Sequence, residues 1–139
     1  MITRRAIAGV ITLALLISVA APLATIARPV TAEGVLRKEL LDTLREAVVK
    51  DLGAPIVFVV EKAAVEGDWA FLLTTPRRTP EEPINWKKTV CSGDVSHLVG
   101  ALLKRENGAW VVKAMALCPT DVAWETWPKD YGAPASIFD

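Results

Sequence analysis

His97 is the only histidine in the chain, and imidazole is the side chain suited to moving protons near neutral pH. Asp94 stands just before it in sequence, and Asp121 follows the hairpin in which His97 is expected to lie. A histidine with a carboxylate neighbour can act as a general base, so one reading is a small hydrolase or isomerase using His97 with Asp94 or Asp121. A nucleophile is missing from that reading. The sequence has no GxSxG, HExxH, GxGxxG or Walker-type loop and no EF-hand spacing. Its carboxylates form no inward-facing pair that would suit glycoside hydrolysis. One histidine with two cysteines is a poor zinc set. Neither a metal nor a cofactor is expected.

A second group of residues suits binding better than catalysis. Arg77, Arg78, Lys87 and Lys88 flank Glu81 and Glu82, and Trp86 lies among them. A basic pair beside an indole can hold an anionic polymer or head group. Trp124 and Trp127 are three apart and would share a helix face. Trp69 and Trp110 are expected beneath the main helix. The favoured function is a non-catalytic binding or accessory module whose partner, an envelope protein or polymer, meets Arg77, Arg78, Trp86, Lys87, Trp124 and Trp127. An inhibitor of a wall-degrading enzyme is a further alternative.

The compartment follows from the start of the chain. Arg4 and Arg5 precede an uncharged, Ala- and Leu-rich run from residue 6 to 27, followed by small residues at Thr25-Ile26-Ala27 and Val30-Thr31-Ala32. This is the pattern of an export leader over residues 1–32, cleaved near Ala27 or Ala32. Thr3-Arg4-Arg5 leaves twin-arginine export open beside the general route. If uncleaved, the run is long enough to anchor the chain in a membrane. Residues 33–139 then form a single periplasmic or secreted domain. It carries thirteen basic and sixteen acidic residues, a net charge of −3, which gives it no electrostatic reason to bind nucleic acid. In an oxidising compartment Cys91 and Cys118 are expected to form a disulfide.

The elements that must position these residues are one helix and two hairpins. Leu36, Leu40, Leu41, Leu44, Ala47, Val48 and Leu52 fall on one arc of a helix over 33–52, ended by Gly53 and Pro55. Strands over 56–66 and 69–75 flank Gly67-Asp68. Strands over 95–105 and 109–117 flank Asn107-Gly108, a strong hairpin signal. That turn pairs Arg105 with Trp110 and Leu103 with Val112, and by extension His97 with Cys118. A proline-rich crossover joins the hairpins over 76–88. A short helix is expected at 121–127, with Thr120 or Asp121 as its N-cap, and irregular chain from Pro128.

One long helix before a four-stranded antiparallel meander resembles the cystatin-like and NTF2-like α+β families. The stretch Leu102-Leu103-Lys104-Arg105-Glu106-Asn107-Gly108-Ala109-Trp110-Val111-Val112 looks like the last hairpin of many NTF2-like domains. Phe58-Val59-Val60, Gly67-Asp68-Trp69-Ala70-Phe71 and Pro119-Thr120-Asp121-Val122-Ala123-Trp124 are similar to segments of small exported bacterial proteins with no assigned role. The resemblance implies a curved four-stranded sheet packed around the helix, with a short C-terminal helix added.

Overall fold

The computed structural model describes residues 30–79 and 82–139. The expected leader, apart from its last three residues, lies outside that range. Helix α1 spans Gly34–Leu52 and buries Leu40, Leu44, Val48 and Leu52, one residue per turn on a single stripe. It stops where the sequence says it should. Gly53 has φ 78° and donates its N–H to the Val49 carbonyl at 2.9 Å, a conformation that costs glycine nothing. On the outer face Asp42 accepts from Lys38 and Arg45, and these hydrogen bonds hold its carboxyl below the usual aspartate range. Arg45 also donates through Nε to the Ile56 carbonyl at 2.8 Å, tying the helix to the chain that enters the sheet.

The sheet has five antiparallel strands, not four, in the order β1-β2-β3-β4-β5. The additional strand is β1, Val30–Thr31, which pairs with Ala64 and Val65. The others are β2 (Val57–Glu66), β3 (Trp69–Arg77), β4 (Val99–Glu106) and β5 (Ala109–Leu117). Both hairpin loops form as expected, with Glu66 opposite Trp69 and Glu106 opposite Ala109. Asn107 and Gly108 both take positive φ, 52° and 80°, as a type I′ turn requires.

The second hairpin carries a register shift between Leu102 and Leu103. On the turn side Arg105 faces Trp110 and Leu103 faces Val112, as read from the sequence. Past the shift every partner moves by one, and β4 begins only at Val99. His97 therefore does not face Cys118. The Cys118 N–H donates to the Leu98 carbonyl instead, at 2.9 Å.

Two cores sandwich the sheet. On one face α1 packs with Ala63, Val65, Ala70, Leu72, Val99, Ala101, Leu103 and Trp110. On the other, the C-terminal segment covers Ala64, Phe71 and Leu102 with Trp127, Ala133 and Ile137. This explains the unbroken apolar runs Ala70-Phe71-Leu72 and Ala101-Leu102-Leu103, since strands covered on both faces lose their alternation. Trp69 lies on this second face, partly buried, with the Lys104 ammonium 4.9 Å from its ring centre. It is not beneath α1; only Trp110 is.

The C-terminal segment also differs from expectation. Residues 121–126 form no helix, with a turn over 123–126, and the short helix α2 is Trp127–Tyr131, entered through Thr126 with Pro128 in its first turn. Asp121 therefore caps no helix. A 3₁₀ turn at Ala135–Ile137 follows, and Ser136 hydrogen-bonds the Glu66 carboxylate at the end of β2. Trp124 seats its ring on Gly100, where an added Cβ would lie 2.6 Å from a ring carbon. A glycine inside a strand often marks such a close approach. Gly100→Ala is expected to push Trp124 off the sheet at a cost of about 1–3 kcal/mol. Urea denaturation of the variant checks this, and an unchanged midpoint would show that the ring does not depend on the gap.

Candidate functional site

The proline-rich crossover leaves β3 at Arg77 and is pinned at two places before it becomes β4. Ile84 enters the α1-side core. Cys91 is bonded to Cys118, with Cα atoms 5.6 Å apart. Between these pins a 3₁₀ turn, Trp86–Lys88, is closed by Thr89, whose hydroxyl donates to the Trp86 carbonyl at 2.8 Å and accepts from the Cys91 N–H at 3.0 Å. These bonds fix the backbone of the turn that carries Trp86. His97 lies flat against the Trp86 indole, with ring centres 3.9 Å apart and planes within 6° of parallel.

The stacked pair forms one wall of an open cleft of about 390 Å³ at the end of β3 remote from its hairpin turn. Thr75 and Arg77 of β3, with Arg78, Thr79 and Ile84 of the crossover, supply most of the rest. The two arginines have different work. Arg78 turns inward and donates from Nη2 to the Leu52 carbonyl at 2.8 Å. It thereby satisfies one of the free carbonyls at the C-terminal end of α1, where a cation is favoured. Arg77 is exposed and makes no ion pair among the described residues.

The cleft gathers Arg77, Arg78 and Trp86 of the residues proposed for binding, and adds His97. Lys87 is exposed beside Trp86 but does not line the cleft. Trp124 and Trp127 belong to the opposite side of the sheet. Trp127 is buried against Phe71, and Trp124 presents its free edge to a shallow depression with Val122, Pro128 and Phe138. The stacking of Trp86 on His97 was not legible in the sequence. Ten residues of irregular chain separate them, and no period links the two.

Asp94 and Asp121 are both exposed, and neither is hydrogen-bonded to His97. Among the described residues no carboxylate lines the cleft. The groups that line it are the Arg77 guanidinium, without an ion pair among the described residues, the hydroxyls of Thr79 and Thr75, the latter donating to the Glu61 carboxylate at 3.5 Å, and a flat aromatic ledge. Such a set can hold an anionic group against a flat surface.

Both cysteines are oxidised, and among the described residues no helix is long and apolar enough to cross a membrane. Nor do three or more histidine, cysteine or acidic side chains come together as a metal site among them. No family model matches the chain, and no curated protein or solved structure matches it either.

Proposed function

We propose that this is an exported, non-catalytic binding module of the bacterial envelope that takes an anionic group of an envelope polymer in the cleft beside Trp86. One observation carries the reading. The exposed Arg77 shares a cleft with a stacked aromatic pair, in a segment anchored by a disulfide. A disulfide also suits a chain that works outside the cytoplasm. A helix laid on an antiparallel sheet is the coarse α+β arrangement that a likeness to cystatin-like and NTF2-like domains would require.

Arg77 supplies charge and Trp86 supplies a face. Arg78 is already committed to α1, so its removal would disturb the fold and report nothing about binding. Arg77→Ala and Trp86→Ala are expected to weaken co-sedimentation with purified cell-wall sacculi by about tenfold each. That corresponds to losing one charge-assisted hydrogen bond or one stacking contact of about 1.5 kcal/mol. Uncharged dextran beads serve as the comparison surface. Retention on sacculi that is the same for both variants and the native protein rejects the cleft as the binding surface.

A further inference from the structure

The two cleavage positions legible in the sequence differ in what they do to the fold. Val30 and Thr31 pair with Val65 and Ala64, and the Ala32 N–H donates to the Ala63 carbonyl at 2.8 Å. Ala32 is 0% exposed and belongs to the α1-side core. Cutting after Ala32 would remove β1, take a buried methyl out of the core and leave the Ala63 carbonyl without this donor. It would also place a new ammonium on Glu33, the residue whose carbonyl accepts from the Arg37 N–H at the start of α1. A positive charge is unfavourable at that end of a helix. Cutting after Ala27 spares all of these contacts, with Arg28 and Pro29 ahead of the first paired residue.

We infer that processing cuts the bond between Ala27 and Arg28, so that the mature chain begins at Arg28. This rests on the reading of the first residues as an export leader. The step is a hydrolysis. Water adds across the amide, its oxygen going to the Ala27 carbonyl carbon and a proton to the Arg28 nitrogen, which leaves a carboxylate on Ala27 and an ammonium on Arg28. The enzyme reads small side chains ahead of the bond, and Thr25 and Ala27 supply them. Val30 and Ala32 supply the rival set, but in the folded domain they are held in the sheet and the core. Retaining residues 28–32 also keeps Arg28, so the mature domain carries a net charge of −2 in place of −3.

The test uses the full chain expressed with its leader in a bacterial host and purified from the periplasm. Intact mass and N-terminal sequencing are expected to give Arg28 as the first residue. A chain starting at Glu33, lighter by residues 28–32, overturns the inference while leaving the leader reading intact. A chain that still carries residues 1–27 sinks the leader reading and the inference together. Ala27→Phe, outside the described residues, provides a second measurement. A bulky residue ahead of the bond is expected to slow appearance of the mature form at least tenfold and to accumulate precursor. Processing of this variant at the native rate overturns the assignment.

Discussion

Phe71→Ala is expected to destabilise the domain by about 3–5 kcal/mol, the range for emptying a fully buried aromatic site. Phe71 is 1% exposed in the first half of β3. Its ring meets Phe138 at 4.7 Å, Trp124 at 5.6 Å and Trp127 at 6.4 Å between centres. Those three rings come from the segment that covers this face of the sheet, which Ile137, Ala133 and the Ser136–Glu66 hydrogen bond also hold in place. The rings are rigid and cannot collapse into the space that a phenylalanine leaves, so the cavity persists. Equilibrium urea denaturation followed by tryptophan fluorescence gives the loss. A cost below about 1 kcal/mol would mean that the second core adds little and that the C-terminal segment is only draped over the sheet.

Replacing both cysteines, as Cys91→Ala with Cys118→Ala, is expected to cost about 3–4 kcal/mol. The bridge closes a loop with a sequence separation of 27, and in the chain-entropy model a loop of that size restricts the unfolded chain by this amount. Both residues are buried, Cys91 at 1% and Cys118 at 7% exposure, so alanine also gives up some packing. The effect should reach the cleft. The bridge is one of the two pins of the crossover, and without it the stack of Trp86 on His97 loses an anchor. Denaturation of the native protein with and without a reductant, beside the double variant, checks the magnitude. Reduced native protein and the variant should agree, and midpoints equal to that of the oxidised protein would refute the claim.

The parts of the fold legible in the sequence are those with a period or a sharp local rule. The stripe of Leu40, Leu44, Val48 and Leu52 gave α1, and Gly53 marked its end. Asn107-Gly108 and Gly67-Asp68 located both hairpin turns, because few residues tolerate the backbone such turns need. The pairing of Cys91 with Cys118 followed from an even count in an export setting. What escaped notice lacked these marks. A two-residue strand shows no alternation, and Val30-Thr31-Ala32 also reads as a peptidase site, so β1 falls within the stretch that the sequence presents as a leader. The register shift at Leu102 moved every partner beyond it, and no residue type there announces a bulge. Alternation shows which residues share a face but not which face meets the helix, so the sequence does not reveal that Trp69 lies away from α1. The position of α2 was missed for a simpler reason: Thr126-Trp127-Pro128 is itself a helix start, with proline in the first turn, and Trp124 sits in the turns before it.

The site was legible as a list of residues and not as a place. Arg77, Arg78 and Trp86 stand out by charge and size, and the fold does bring them together at the cleft. Trp124 and Trp127 stand out equally and serve the second core. Large aromatics look alike in sequence whether they close a core or face a partner, and only the packing of Gly100 and Phe71 separates the two cases.

The covering of the sheet on both faces has a consequence for the order of events at birth. Phe71 and Leu102 leave the ribosome well before residues 124–138, and synthesis at about 5–20 residues per second leaves them without their cover for seconds. During that interval the half-built β-layer shows an oily side, and Cys91 has no sulfur to join until Cys118 emerges. The second core therefore cannot close until residues 124–138 are free of the ribosome, so completion of the fold waits on that stretch.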